Sequence, residues 1–220
     1  MTDHDAPPPS SLPRLGEPAP AFEADTTQGR LALDDFKGSW VVLFSHPADF
    51  TPVCTTEFVE LAKVAPSLRD KGVELLGLSI DSIYAHLAWL ETIKQSFGVE
   101  VPFPVIADHD RAVAKSYGMI MPGDSTTEAS RCVFFIDPKG VVRAMIYYPL
   151  TTGRNVDEIV RVIDALLTTD ADQVATPANW QPGGKVILPA PRTIEDAAER
   201  VSRHPEARHW WFCETDQADT

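Results

Sequence analysis

Cys54 is the residue of this 220-residue chain best placed for chemistry, because it lies at the predicted start of a helix. The segment SHPADFTPVCTTEF puts Thr51 at the N-cap and Pro52 at the first helical position, where the missing N–H of proline costs nothing. Cys54 then occupies the third helical position, at the positive end of the helix dipole. Amide groups and dipole both favour an anion there, so the pattern predicts a reactive thiolate rather than a small buried thiol.

The residues around Cys54 argue against two other uses of this thiol. The residues that follow it are Thr-Thr-Glu, so there is no C-x-x-C pair for thiol–disulfide exchange. His46 and Cys54 are the only soft ligands nearby in the sequence, too few for a closed zinc site. We therefore expect neither a metal nor a cofactor.

The same segment spells P-x-x-x-T-x-x-C at Pro47, Thr51 and Cys54, and here the sequence closely resembles the peroxiredoxins. The stretches ASRCVFFIDPKG, YYPLTTGRN and HWWFC extend the resemblance over residues 15–213, toward the one-cysteine class and its archaeal thioredoxin-peroxidase relatives. The resemblance implies a thiol-dependent peroxidase that reduces hydrogen peroxide and alkyl hydroperoxides through a sulfenic acid at Cys54. The alternative is an oligomeric holdase chaperone or a peroxide sensor.

The resemblance also implies roles for the residues near Cys54. Thr51 orients the peroxide through its hydroxyl, and Pro47 shields the site and shapes the loop. Arg131 matches the active-site arginine of the family, which holds the thiolate and stabilises the charge that develops as the O–O bond breaks. Arg154 matches the second arginine of this class, whereas a charge at a helix start is otherwise solvated by default.

Two further candidates each have two interpretations. His46 precedes Pro47 as it does in this class, and it either hydrogen-bonds near the substrate or is structural. Glu57 lies three residues after Cys54 on the same helix face, where it either tethers Arg154 or complements the helix N-terminus. The sequence leaves both choices open.

The other two cysteines differ in their surroundings. Cys132 follows Arg131 at the start of an apolar strand, so we expect it to point away from the arginine as an inert core thiol. Cys213 lies in HWWFC, where archaeal relatives carry a cysteine that can resolve the sulfenic acid, so it is a candidate resolving cysteine. Alternatively, an external thiol reduces the sulfenic acid, and this thiol is a thioredoxin-like protein, glutathione or another thiol. The sequence does not decide between Cys213 and an external thiol.

The elements that position these residues alternate between strand and helix. Apolar runs at residues 40–45 and 73–80 predict buried strands, and residues 52–72 between them predict a helix. Further on, CVFFID, PKG and VVRAMIYY predict a strand, a tight turn and a strand. This order predicts an α/β chain with a thioredoxin-like fold, in which helices flank a mixed central sheet. The helix predicted over residues 84–98 has four apolar residues on one side: Leu87, Leu90, Ile93 and Phe97.

Composition divides the chain into three parts. Residues 1–12 hold a Pro-Pro-Pro-Ser-Ser run that predicts a disordered leader, residues 13–169 predict the thioredoxin-like peroxidase domain, and residues 170–220 predict a C-terminal arm. The aromatic residues of the arm would expose a large apolar surface to water, so we expect the arm to pack on the domain or on a partner subunit. We therefore expect a homodimer, with a decameric or dodecameric ring as the larger alternative. The aromatic residues are Trp180, Trp210, Trp211 and Phe212.

Charge and hydropathy exclude several classes of partner. The 32 acidic and 19 basic residues give a net charge of −13, which argues against binding nucleic acid or an acidic membrane surface. No window approaches the roughly 18 consecutive apolar residues of a membrane-spanning helix, and the acidic, proline-rich N-terminus is unlike a signal peptide. We therefore expect a cytoplasmic protein without nucleic-acid or membrane partners.

Overall fold

The computed structural model describes residues 12–216 of the chain. These residues form two compact units, one ending at Val156 and the other beginning at Asp157. The predicted leader, except for Leu12, lies outside the described residues. The boundary between domain and arm that we predict at residues 169 and 170 remains a proposal.

The first unit contains one mixed sheet of seven strands. The strands are β1 (Glu23–Thr26), β2 (Gly29–Ala32), β3 (Trp40–Ser45), β4 (Val73–Ser79), β5 (Val105–Ala107), β6 (Arg131–Ile136) and β7 (Val142–Tyr148). Their order in the sheet is β2-β1-β5-β4-β3-β6-β7. Strands β3, β4 and β5 pair in parallel, whereas β6 runs antiparallel to both β3 and β7, and β1 runs antiparallel to both β2 and β5. The predicted strand, tight turn and strand are confirmed as the antiparallel pair β6 and β7.

Helices connect and flank these strands, as the sequence predicts for a thioredoxin-like fold. Those of the first unit are α1 (Pro52–Asp70), α2 (Ile83–Phe97) and α3 (Ala112–Ser116), with a 3₁₀ turn at Leu33–Phe36. Helix α4 (Val156–Asp172) begins at the boundary, and the second unit continues through β8 (Val186–Ile187), α5 (Ile194–Arg203) and β9 (Glu214–Thr215). Within residues 12–216, no helix has both the length and the apolar character needed to cross a bilayer.

Strand β3 anchors the segment that carries Cys54. All six of its residues are buried, as expected for a strand covered on both faces. The Phe44 ring packs edge-on against Phe58 of α1 and against Phe103, with ring centroids 5.6 and 5.5 Å apart. These contacts fix the end of β3 against α1, and so they fix the loop that joins the two elements.

The buried side of α2 differs from the one that apolar spacing predicts. Leu87 and Phe97 are 50% and 55% exposed, whereas His86, Trp89 and Ile93 are buried. The physical reason is that His86 finds hydrogen-bond partners for both ring nitrogens inside the protein, so its burial costs little. Of the predicted apolar side, Ile93 is therefore in the core, whereas Leu87 and Phe97 are not.

The second unit has its own small hydrogen-bonded framework. Strands β8 and β9 pair antiparallel, and the buried Trp180 indole donates to the Gly184 carbonyl oxygen at 3.1 Å. Thr193 is the N-cap of helix α5, and its hydroxyl accepts from the backbone N–H of Asp196. The aromatic pair Trp210 and Trp211 is 46% and 51% exposed.

Candidate active site

The start of α1 places Cys54 as the sequence predicts. Thr51 is the N-cap residue, Pro52 begins the helix, and the Cys54 thiol is fully buried in the first turn. The Thr51 hydroxyl donates to the Ala48 carbonyl oxygen at 2.8 Å and does not cap the helix. The N–H groups of the first turn therefore face the thiol region without a side-chain cap, and they contribute positive potential there.

Arg131 is the first residue of β6 and contacts the sulfur directly. Its Nη1 atom lies 3.3 Å from Cys54 Sγ and 2.7 Å from the Glu57 carboxylate. The Nε atom of Arg131 donates to the Leu150 carbonyl oxygen at 3.0 Å, which fixes the plane of the guanidinium. Because the side chain is only 3% exposed, its charge acts on the thiol with little screening by water.

Glu57 joins the two arginines that the sequence singles out. One carboxylate oxygen accepts from the backbone N–H and the Nε of Arg154 at 2.8 and 2.9 Å, and the other accepts from its Nη2 at 2.8 Å. The second oxygen also accepts from Arg131. Of the two interpretations of Glu57, the tether to Arg154 is thus the observed contact.

Arg154 is a buried residue rather than a solvated charge at a helix start. It is 7% exposed, and its Nη1 donates to the carbonyl oxygens of Ser45 and Cys132 at 2.9 and 3.0 Å. Its guanidinium also lies over the Phe44 ring, 5.3 Å from the centroid. Arg154 therefore joins β3 and β6 at the edge of the site.

The charges of this cluster leave one positive charge for the thiol to neutralise. Burial alone would raise the pKa of the Glu57 carboxyl, but Arg154 first and Arg131 second hold that pKa below its ordinary value. Two guanidinium cations against one carboxylate leave a net charge of +1 beside Cys54 Sγ. A thiolate cancels that charge, whereas a neutral thiol leaves a buried cation uncompensated.

The loop between β3 and α1 is fixed by backbone contacts and by an unusual dihedral angle. Pro47 is buried, and the Asp49 N–H donates to the Asp81 carboxylate at 2.9 Å. The same carboxylate oxygen accepts from the Ser79 hydroxyl at 2.7 Å, which ties the loop to the end of β4. Phe50 adopts a φ of 55°, in the left-handed region that bulky residues rarely occupy. Such a residue persists only where its surroundings hold it, and here it directly precedes Thr51.

His46 lies behind this loop, in a polar cluster that sequence reasoning missed. Its Nε2 atom is 2.8 Å from Asp49, and the other Asp49 oxygen is 2.7 Å from Nδ1 of His86. Asp49 falls inside the motif segment, but His86 is 37 residues further along the chain. The signal that the sequence offered was His86 itself, a histidine in the middle of an otherwise apolar side of α2.

Two groups within the described residues have the side-chain types of metal ligands. His46, Asp49 and His86 form one, and His204, Glu206 and Cys213 form the other, with ligand atoms within 4.8 Å of one another in each group. In the first group the Asp49 carboxylate is already engaged by both rings. Neither group includes Cys54.

The other two cysteines are buried thiols, one in each unit. Cys132 is fully buried in the apolar core with Phe134 and Ile136, and burial raises the pKa of its thiol to about 12. Cys213 is fully buried in the second unit, where its carbonyl oxygen accepts from the Leu188 N–H at 3.0 Å. All three cysteines are free thiols.

Comparison with known proteins places this site in a family. The AhpC/TSA family model matches residues 15–145, and the model for the C-terminal domain of 1-Cys peroxiredoxin matches residues 165–203. A peroxiredoxin of Aquifex aeolicus is 58% identical over 214 residues, covering 92% of this chain and 96% of its own. A peroxiredoxin of the archaeon Methanosarcina mazei is 49% identical, with coverages of 92% and 97%.

Solved structures similar to this chain are also peroxiredoxins. A yeast mitochondrial 1-Cys peroxiredoxin superimposes with a TM-score of 0.82 at 41% identity, covering 93% of this chain and all of its own. A C45S mutant of peroxiredoxin 6 of Arenicola marina has the same TM-score at 40% identity, with coverages of 94% and 99%. The chain belongs to the AhpC/TSA family and is a thiol-dependent peroxidase of the peroxiredoxin type. These relatives favour the peroxidase over the holdase or sensor.

Replacing Glu57 by Gln tests the charge cluster. The folded-state pKa of Glu57 lies below its unfolded value of about 4.3, so its carboxylate adds stability that is fully present above about pH 4.3. That stability is lost as the pH falls through the folded-state pKa. Because the change leaves two buried guanidiniums with one fewer anion, we expect Glu57→Gln to lose about 3–5 kcal/mol at neutral pH. Urea unfolding of parent and variant across the acid range measures this loss, which shrinks below about pH 4.3.

Glu60→Gln is the matched control on the same helix. Glu60 pairs with Lys63 at 2.6 Å, but both side chains are 54% exposed, so we expect a change of less than about 1 kcal/mol. A loss in Glu57→Gln no larger than that of Glu60→Gln would contradict the charge cluster.

Proposed function

We propose that Cys54 is the peroxidatic residue and that Arg131 activates it. The observation that carries this proposal is the 3.3 Å contact from Arg131 Nη1 to Cys54 Sγ at the start of a helix. The thiolate attacks one oxygen of a hydroperoxide, an S–O bond forms as the O–O bond breaks, and the sulfur is oxidised to a sulfenic acid. The departing oxygen takes up a proton and leaves as water or an alcohol. Arg131 stabilises the negative charge on that oxygen.

The other residues of the site prepare this step. Thr51 adjoins the thiol turn, and its hydroxyl, which donates to Ala48, retains lone pairs that can accept from the peroxide O–H. Pro47 is buried in the loop and excludes water from one side. Glu57 and Arg154 act through Arg131, because the shared carboxylate fixes the position of that guanidinium. These two are positioning residues.

The substrate range that we propose includes both hydrogen peroxide and alkyl hydroperoxides. A cavity of about 380 Å³ beside the first turn of α1 has mainly apolar walls, which suit an alkyl chain. Its walls include Phe50, Pro52, Trp89, Ile93 and Phe97. Hydrogen peroxide needs none of this surface and requires only the thiol and the hydrogen-bonding groups around it.

An external thiol is the reductant that we propose for the sulfenic acid. Cys213 is fully buried in the second unit, so it must leave its packing before it can attack another sulfur. A disulfide with Cys54 further requires the two Cα atoms to come within about 7 Å. The yeast relative is described as using glutathione and thioredoxin systems for thiol resolution, and we propose the same classes of reductant here.

We also propose a cytoplasmic homodimer, with a decameric or dodecameric ring as the larger alternative. The half-exposed pair Trp210 and Trp211 forms an apolar surface of the kind that subunit interfaces use. Three free thiols fit a compartment that keeps cysteines reduced.

Cys54→Ser tests the peroxidatic assignment. Serine replaces the thiol by a hydroxyl that stays protonated at neutral pH and is a weak nucleophile. We therefore expect the consumption of both hydrogen peroxide and cumene hydroperoxide to fall to the background rate. Cys132→Ser is the matched control, because it changes another buried thiol whose pKa is raised to about 12. Stopped-flow kinetics measures each rate, and circular dichroism checks the fold. Peroxide consumption that persists in Cys54→Ser would disprove the assignment.

Mass spectrometry after one equivalent of peroxide tests the choice of reductant. We expect parent and Cys213→Ser to accumulate the same sulfenic or sulfinic acid at Cys54, because no internal thiol consumes it. Addition of glutathione or thioredoxin should then restore the sulfenic form to the thiol in both proteins. A disulfide between Cys54 and Cys213 in the parent, absent from Cys213→Ser, would show that Cys213 resolves the sulfenic acid.

Light scattering coupled to gel filtration tests the oligomer. We expect the parent to have at least twice the 24.2 kDa mass of one chain. Replacing Trp210 and Trp211 by Ala together should shift the population toward the single-chain mass, since it removes the apolar surface. Tyr84→Ala is the control, because Tyr84 is an aromatic residue that is 80% exposed in the first unit. A parent of 24.2 kDa would contradict the proposal.

A further inference from the structure

Three polar side chains of the first unit form one buried cluster behind the active-site loop. His46 and His86 are fully buried and Asp49 is 7% exposed. Asp49 Oδ1 lies 2.8 Å from Nε2 of His46, and Oδ2 lies 2.7 Å from Nδ1 of His86. Nε2 of His86 lies 3.1 Å from the Ile106 carbonyl oxygen. One carboxylate thus connects the loop to α2, and through α2 to β5.

His86 determines where the protons of this cluster lie. A carbonyl oxygen can only accept, so Nε2 of His86 carries a hydrogen and donates it to Ile106. The proton between His86 and Asp49 then lies either on Nδ1 of the ring or on Oδ2 of the carboxyl. In both arrangements Asp49 Oδ1 has lone pairs free to accept, and Nε2 of His46 is the donor that reaches it.

The opposite tautomer of His46 is costly. It would put the hydrogen on Nδ1, and in the described part of the chain that buried atom has no hydrogen-bond partner. A buried N–H without an acceptor costs about 1–3 kcal/mol. It would also require Asp49 to donate a proton from Oδ1 to the ring. We infer that Asp49 and His86 are positioning residues that hold His46 in one neutral tautomer, with the proton on Nε2 and an unpaired lone pair on Nδ1.

The surrounding groups favour the same arrangement. Burial lowers the pKa of His46, against the opposing effects of Asp49 and of the nearby Asp81, so the ring stays neutral at neutral pH. Burial alone would raise the pKa of Asp49, but the hydrogen bonds from His46 and His86 hold it below its ordinary value. The His46 ring is enclosed by the rings of Phe58 and Trp89, with centroids 4.8 and 5.1 Å away.

The tautomer decides what His46 can do in the peroxidase reaction, an expectation that rests on the proposed function. With a lone pair on Nδ1, the ring can accept a hydrogen bond from a hydroperoxide O–H but cannot donate one from that atom. The cluster also fixes the loop at His46 and at Asp49, the residues on either side of the segment that contains Pro47. Loss of the cluster therefore disturbs both the acceptor and the loop that leads to Thr51.

Asp49→Asn and Asp49→Ala form a matched pair that tests this inference. In Asp49→Asn, the amide oxygen accepts from Nε2 of His46, and the amide NH₂ donates to Nδ1 of a neutral His86. Every hydrogen bond is kept, so His46 retains its tautomer. In Asp49→Ala the acceptor is gone, and nothing holds the proton of His46 on Nε2.

Long-range ¹H–¹⁵N NMR of ¹⁵N-histidine-labelled protein reports which ring nitrogens are protonated. We expect His46 to be protonated on Nε2 alone in the parent and in Asp49→Asn, and to show mixed tautomers or a protonated ring in Asp49→Ala. The second-order rate constant for hydrogen peroxide should stay close to that of the parent in Asp49→Asn. It should fall by about 10- to 100-fold in Asp49→Ala, as a shift of the reacting groups would cause.

A parent spectrum with the His46 proton on Nδ1 would overturn the inference, whatever the activity. So would an Asp49→Ala variant that keeps both the tautomer and the rate. If Asp49→Ala does not fold, the spectra of the parent and of Asp49→Asn decide the tautomer. Because the spectra do not depend on turnover, a parent without peroxidase activity would disprove the proposed function and leave the tautomer assignment to the NMR result.

Discussion

The rest of the site depends on a single buried carboxylate, that of Glu57, which two guanidiniums share. Arg154 binds both of its oxygens and Arg131 binds one. Burying two cations with one anion is unfavourable unless a second anion completes the set. Cys54 supplies that anion when its sulfur is ionised, so the cluster stabilises the reactive form of the thiol through its own charge balance.

The sheet explains why residues far apart in the chain meet at this point. Strand β6 runs antiparallel to β3, so the start of β6 lies beside the end of β3, where Phe44 pairs with Val133. The chain leaves β3 directly into the loop and α1, which puts Cys54 beside Arg131, the first residue of β6. Arg154 then joins the two strands through the carbonyl oxygens of Ser45 and Cys132. A mixed sheet is therefore a requirement of the site.

The sequence predicts most of this arrangement because its signals are local. The N-cap, the proline and the thiol follow one another at the start of α1, and apolar runs indicate the buried strands. What it could not predict is the pairing of Asp49 with His86, since only the fold brings these residues together. The buried side of α2 differs in part from the predicted apolar side for the same reason: His86 finds buried partners and lies in the core beside Ile93, and Leu87 remains half exposed.

The net charge of −13 and the positive charge beside Cys54 do not conflict, because they act over different distances. Exposed charges are screened over about 8–10 Å at physiological salt, whereas the 3.3 Å contact between Arg131 and the sulfur lies in a buried region. A hydroperoxide is neutral, so the acidic surface neither attracts nor repels it. The electrostatic environment of the thiol is therefore set by its three buried neighbours, Glu57, Arg131 and Arg154, and not by the net charge of the surface.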